Sequence, residues 1–201
     1  KATGKLPENG VTHNPYDALT ISTTVVGILR DGEPTATAVV GEKVDVILAA
    51  SPFYADSGGQ VSDTGEIHST AGTWQLKVIG VSKPVAGLIV HECEVLAGEP
   101  CVDDTCNAQV EVLRRGHIAR NHTATHLLQS ALRSILGTHV QQQGSAVSSD
   151  RLRFDFSHPA ALTTDELEAV GDMLNDSIYV NMPVSWGQEN YKDAIASGAM
   201  A

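Results

Sequence analysis

The spacing of the apolar residues changes near residue 113, and that change limits what this chain can fold into. From residue 20 to about 112 the apolar residues come in short β-rich runs. "LTISTTVVGIL" ends at Arg30-Asp31-Gly32, "TATAVV" at Gly41 and "KVDVILAAS" at Pro52; "TWQLKVIGVS", "GLIVHECEV" and "AQVEVL" follow. Short strands broken by Gly, Pro and Asp turns predict a barrel or a sandwich. After 113 the period is helical. Residues 114–136 hold no Pro and only Gly116, and Gly137 is placed to end a helix.

The second half continues with mixed elements. "THVQQQGSAVSS" and "RLRFDFSH" read as two strands around a Ser148-Ser149-Asp150 turn, with Leu152, Phe154 and Phe156 alternating onto one buried face. Thr163 caps a second helix and Glu166 completes a capping box; that helix runs to about Val180. "PVSWGQE" reads as a short strand and "NYKDAIASGAMA" as a helical stretch. The predicted fold class is α+β. Residues 1–19, with Gly4, Pro7, Gly10, Asn14 and Pro15, form a linker or irregular lead-in. A β-barrel-like region spans 20–112, and an α+β unit with a central helix packed on a sheet spans 113–201.

A net charge of −11 means that the chain as a whole does not attract a phosphate backbone. Nucleic acid would need a local basic patch, and Arg114, Arg115 and Arg120 form the one such cluster. No window approaches 18 apolar residues, so no membrane span is expected. The three cysteines, Cys93, Cys101 and Cys106, form no Cys-x-x-Cys pair, and a reducing cytoplasm is the default for them. Cys101 and Cys106 could pair or share a metal, but no ligand-spaced residue lies beside them.

"RNHTATHLL" places His122 and His126 four residues apart on the predicted helix. On a wheel of about 100° per residue, His126 falls about 40° from His122, Gln129 near −20°, and Arg115 and Arg133 near 20°. Leu127, Leu128, Ala131, Leu132 and Ile135 lie opposite. The histidines therefore line a polar stripe. It is either a solvated helix face or half of a zinc site, because an i, i+4 pair can hold a divalent ion. A zinc protease is excluded, since Thr123 follows His122 where HExxH needs Glu. His117, His139 and His158 are possible further ligands, none at a diagnostic spacing.

The stretch "SPFYADSGGQVSDTG", residues 51–65, carries Gly58, Gly59 and Gln60, then Asp63-Thr64-Gly65. Paired glycines let a ligand approach the backbone closely, with free N–H groups facing oxygen-rich chemistry. Alternatively they only supply positive φ to a hairpin connection.

Three stretches, "SPFYADSGGQVSDTG", "RNHTATHLLQSALRSILGTHVQQQGSAV" and "RLRFDFSH", resemble in order and spacing the editing domain of alanyl-tRNA synthetases. Free-standing alanyl-tRNA editing proteins share most of them. The resemblance covers residue 20 onward and implies that the strand-rich part is the barrel carrying the editing module. It implies that His122 and His126 are two zinc ligands, the others coming from a downstream Cys-x-x-x-His. This sequence has no Cys after Cys106. With no Met at its start either, the chain is expected to be a piece of a longer synthetase, with its α+β core truncated at the C-terminus. Two imidazoles alone predict weak zinc retention.

The resemblance further implies hydrolysis of the ester in mischarged Ser-tRNA(Ala) and Gly-tRNA(Ala), within a parent enzyme that joins alanine to tRNA(Ala) using ATP. Nothing in the chain resembles the class II catalytic motifs. Gln142, in "THVQQQGS", matches the pocket glutamine; it and Thr64 are the candidate catalytic residues. Gly58, Gly59, Gln60, Arg114, Arg115 and Arg120 are the candidate contacts to the tRNA(Ala) 3′ end. The implied partners are that RNA end and the remaining domains of the parent; no membrane is implied. The competing readings are a free-standing trans-editing deacylase and a non-catalytic RNA-binding or oligomerisation module.

Overall fold

The computed structural model describes residues 10–185, 187 and 189–198. Nine strands come first: β1 (Thr12–His13), β2 (Thr20–Arg30), β3 (Glu33–Thr35), β4 (Lys43–Leu48), β5 (Ala50–Ser51), β6 (Gly65–Ser69), β7 (Gln75–Val85), β8 (Leu88–Ala97) and β9 (Thr105–Val110). Helix α1 (Val112–Leu136) follows, then β10 (Gln142–Val147), β11 (Leu152–Phe156), α2 (Thr164–Val180) and α3 (Tyr191–Ala196). The expected α+β class is what the structure shows.

Six antiparallel strands close a barrel in the order β2-β4-β8-β7-β6-β9, and β9 returns to β2. Closure depends on β2. Its residues 20–24 pair with β9 and its later residues with β4, with a register shift between Val25 and Gly27. Such a bulge turns a strand sharply enough to pass from one neighbour to another. Closing the sheet leaves no long unpaired edge. Val25, Val46, Leu48, Ile67, Leu76 and Ala108 point inward and are wholly buried.

Three segments differ from expectation. β6 is absent from the run of expected strands because Ile67 is its only large apolar residue, yet it pairs on both sides, with β7 and β9. "TATAVV" is mostly not strand: Val39 and Val40 are exposed, and residues 40–41 turn. "PVSWGQE" forms no strand at its described residues; positions 186 and 188 lie outside them. Of the lead-in, residues 1–9 also lie outside. Residues 12–13 pair in parallel with β5, and Val11 is buried in the barrel core.

The second core is small. Ala131, Leu132, Val140 and Val170 are buried there, with Leu128, Phe154, Phe156 and Leu162 packed around them. It joins the apolar side of α1 to α2 and to the antiparallel β10–β11 hairpin. The sequence signals for these elements are present: Gly137 caps α1, and Thr163 with Glu166 forms the capping box of α2.

Inside the barrel, His91 has no exposure. Its Nδ1 donates to the Val46 carbonyl at 2.9 Å, and its Nε2 accepts from Ser51 Oγ at 2.8 Å. Burial holds its pKa down to about 4 from an ordinary 6.5. The unfolded chain therefore takes up this proton before the folded one does. Stability is full above the ordinary value and is lost as pH falls from 6.5 towards 4, by about 3 kcal/mol. Denaturant unfolding between pH 7.5 and 4 should show this loss in the 201-residue chain. His91→Gln should flatten that part of the profile, and an equal slope in both proteins would refute the assignment.

Candidate active site beside the double-glycine turn

The polar stripe of α1 is not a solvated face. Ile118, Thr125 and Gln129 on that side are buried, and His122 is half-buried, while Ile135 on the apolar side is exposed. The stripe packs against the loop between β5 and β6. His122 Nδ1 and Gln60 Oε1 are hydrogen-bonded at 2.6 Å. The His122 and His126 rings stack with centroids 5.2 Å apart and planes 17° from parallel. Burial, followed by the neighbouring His126, lowers the pKa of His122, which favours the neutral ring a metal needs.

Gly58 (φ 59°) and Gly59 (φ 80°) are the central residues of a tight turn closed by two backbone hydrogen bonds between Ser57 and Gln60. The glycines therefore supply the positive φ of a tight connection. Nothing lies within 4 Å of a Cβ built on Gly58. One built on Gly59 would strike the Ser145 carbonyl oxygen and come within 2.9 Å of Ser145 Oγ. The turn docks on β10: the Val147 amide donates to Gly59 O at 2.8 Å, and the Val61 amide to Val147 O at 3.0 Å.

Gln142 reaches the same place. Its Nε2 donates to Ser145 Oγ at 3.2 Å, beside the turn. A register shift separates Gln142 from Gly144, and Gln141, Gln142 and Gln143 are all exposed. His122, Gln60, Gly59, Ser145 and Gln142 are thus linked contact by contact. Sequence reasoning missed Ser145; its only signal was its place in the strand that carries Gln142.

The other candidates sit at the foot of α1. The Glu111 amide donates to Thr64 O at 2.9 Å, and Thr64 Oγ1 donates back to the Glu111 carboxylate at 2.8 Å. Glu111 is eleven residues before His122, on the order of 16 Å along a helix. The structure therefore does not place Thr64 with the histidines; it ties the loop to the start of the helix. Arg115 is also placed differently from expectation. Its Nε lies 2.9 Å from both carboxylate oxygens of buried Asp63, an Nη nitrogen also contacts that carboxylate, and other donors meet the Pro15 and Pro52 carbonyls. A guanidinium so engaged is a structural joint, not a phosphate contact. Arg114 donates to Ser62 O at 2.7 Å and lines a cleft of about 680 Å³ with Thr64, Glu66, Lys77 and Glu111. Arg120 is exposed and engaged by no group among the described residues.

Among the described residues, no three His, Cys, Asp or Glu are grouped to hold a metal ion. The donors present fit half of a tetrahedral zinc set: two imidazoles, one already bonded to an outer partner. Cys93 and Cys106 supply nothing to it. Both are buried in the barrel with their thiol pKa values raised by burial, Cys106 to about 12. No helix among the described residues is long and apolar enough to cross a membrane.

Residues 3–114, which hold the barrel and the start of α1, match the profile of the tRNA synthetases class II (A). The chain belongs to that family. It is 45% identical over 186 residues to an alanine–tRNA ligase of Chloroflexus aurantiacus, covering 92% of this chain and 21% of that protein. It is also 45% identical over 201 residues to the alanine–tRNA ligase of Desulfitobacterium hafniense, covering all of this chain and 22% of that protein. The alanine–tRNA ligase of Rhizobium meliloti is 44% identical over 186 residues. The chain thus spans about a fifth of the length of these relatives. They bear out the resemblance read from the three motifs.

The two glycines separate conformation from close packing. Gly58→Ala meets only the left-handed backbone penalty, about 1–2 kcal/mol. Gly59→Ala adds a collision with Ser145 and should undock the turn. Hydrogen exchange at the Val61 and Val147 amides should then accelerate in Gly59→Ala far more than in Gly58→Ala. Equal rates in the two variants would show that close approach does not hold the turn.

Proposed function

We propose that this chain is the proofreading part of an alanine–tRNA ligase, hydrolysing the ester that joins serine or glycine to the 3′ end of tRNA(Ala). The observation that carries this reading is the Gln60–His122 contact, which sets the double-glycine turn against the histidine pair. The chemical need is clear. Serine is alanine plus a hydroxyl and glycine is alanine less a methyl, so a synthetic pocket rejects neither strongly and a second sieve is required.

Each residue has a part in this reading. Gln142 and Ser145 present polar groups beside the turn, where a serine hydroxyl can be satisfied. Alanine would leave those groups unpaired and is spared. Gly58, with open space where a Cβ would stand, lets the terminal ribose approach the backbone, and Gly59 docks the turn on β10. His122 and His126 would hold a zinc ion together with donors from outside the described residues. Such an ion polarises an oxygen or lowers the pKa of a water.

Charge supports a nucleic-acid partner despite the acidic total. Residues 112–156 carry six arginines against only Asp150 and Asp155, while the whole chain stands at −11. Exposed Arg120 and partly free Arg114 lie on the α1 turns that lead to the histidines, and are the proposed phosphate contacts. The remaining domains of a longer ligase would supply the rest of the RNA-binding surface.

The test is release of serine from Ser-tRNA(Ala). A form of the chain extended to include a downstream Cys-x-x-x-His should release it. His122→Ala and His126→Ala should each abolish that release, and unchanged release in both would remove the metal assignment. The 201-residue chain alone should retain zinc weakly. Tight stoichiometric zinc by elemental analysis would point to a ligand not assigned here.

A further inference from the structure

We propose that Gln60 is a positioning residue: it holds the proton of His122 on Nδ1 and so presents Nε2, unprotonated, to a divalent cation. This rests on the metal reading above and goes beyond it, because it gives Gln60 a task other than touching RNA. An amide carbonyl oxygen only accepts, so a 2.6 Å contact between Gln60 Oε1 and His122 Nδ1 requires the hydrogen on Nδ1. The lone pair of the neutral ring then lies at Nε2. A ligating imidazole depends on such an outer partner to fix its tautomer and its orientation.

Three features hold the acceptor in place. Gln60 is 6% exposed, so its amide is not free to turn into water. Its own backbone N–H is bonded to Ser57 O at 3.0 Å. On either side of it, Gly59 O and the Val61 amide are both bonded to Val147. Through that strand the acceptor is fixed to the same hairpin that carries Ser145 and Gln142. His126 is exposed and has no such partner among the described residues; it has only the stacking of the His122 ring. One ligand of the pair is therefore preset and the other is free to adjust.

The experiment is ¹⁵N NMR of the histidine rings in the metal-free 201-residue chain at pH 8, where neutral imidazole dominates. Three proteins are compared: the unaltered chain, Gln60→Met and Gln60→Glu. Methionine keeps the volume of a buried side chain and removes the strong acceptor, so the fold should persist; dispersed barrel amide signals check this. Glutamate keeps an acceptor at the same reach. The unaltered chain and Gln60→Glu should show His122 protonated on Nδ1, and Gln60→Met should move the proton towards Nε2. Zn²⁺ affinity is then measured with His139→Ala in every background. His139 and His158 also lie within 2.9 Å of each other, and this change keeps that exposed pair from binding the probe. Gln60→Met should weaken zinc binding about 10- to 100-fold, and Gln60→Glu should restore it.

A His122 proton on Nε2 in the unaltered chain would overturn the proposal, since the amide would then present its NH₂ group. So would an unmoved tautomer in Gln60→Met, or a moved tautomer with unchanged zinc affinity. These outcomes are separate from serine release. If Gln60 behaves as expected while the extended chain releases no serine, the editing reading falls and the tautomer lock stands.

Discussion

The site depends on one buried ion pair. Asp63 is 1% exposed, and its carboxylate receives the Arg115 guanidinium together with the Tyr54 backbone amide at 2.7 Å. The same guanidinium holds the carbonyls of Pro15 and Pro52. Four separate parts of the chain thus meet at one cation: the lead-in, both ends of the loop between β5 and β6, and the first turn of α1. Removing one member of such a pair leaves a buried charge unmatched and costs several kcal/mol, whereas the net worth of the intact pair is small. Its contribution here is placement. With both ends of the loop tied to the helix, the middle of the loop reaches His122 about two turns further along, and Gln60 meets it.

This joint explains which parts of the site were legible in the sequence. The helix, its Gly137 cap, the capping box at Thr163 and the β10–β11 hairpin all come from local patterns, and all form where expected. The family resemblance named His122 and the double-glycine turn as parts of one site, and no local pattern joins residues 60 and 122. The polar stripe misleads for a related reason. A wheel sorts apolar from polar residues, but it does not show that a polar face can be covered by a loop whose polar groups answer it. Arg115 looked like a free cation because its partner lies 52 residues away. β6 was hidden because a strand paired on both sides can hold its place with a single inward Ile67.

Access, more than residue type, separates chemistry from packing in this molecule. Ser51 and His91 stand 2.8 Å apart, a distance suited to a nucleophile and its base. Both are sealed in the barrel, and Phe53 packs edge-on against the His91 ring. Burial keeps that imidazole neutral and out of reach of any substrate, so the pair joins β8 to β5 and does no chemistry. His122 feels the same desolvation more weakly and keeps an open side. The same side chain serves as a core hydrogen-bonding group in one place and as a candidate ligand in the other.

The two cores differ in what they can support alone. The barrel closes on itself and buries a contiguous set of large apolar side chains. The apolar core shared by α1, α2 and the hairpin holds four buried residues, and Leu167, Ile178 and Val180 on α2 are exposed. An apolar core that small supplies only a few kcal/mol of burial against the entropy of ordering two helices and a hairpin. Much of the order in this unit must therefore come from its seams with the barrel: the Arg115–Asp63 joint, the Thr64–Glu111 tie and the parallel docking of the double-glycine turn on Val147. Of these, the docking of the turn on Val147 lies beside His122, through Gln60. The contacts that stabilise the α+β unit then include contacts that set the geometry of the candidate site. A substitution at a seam should shift stability and site geometry together, while one inside the closed barrel can lower stability and leave the histidine pair where it is.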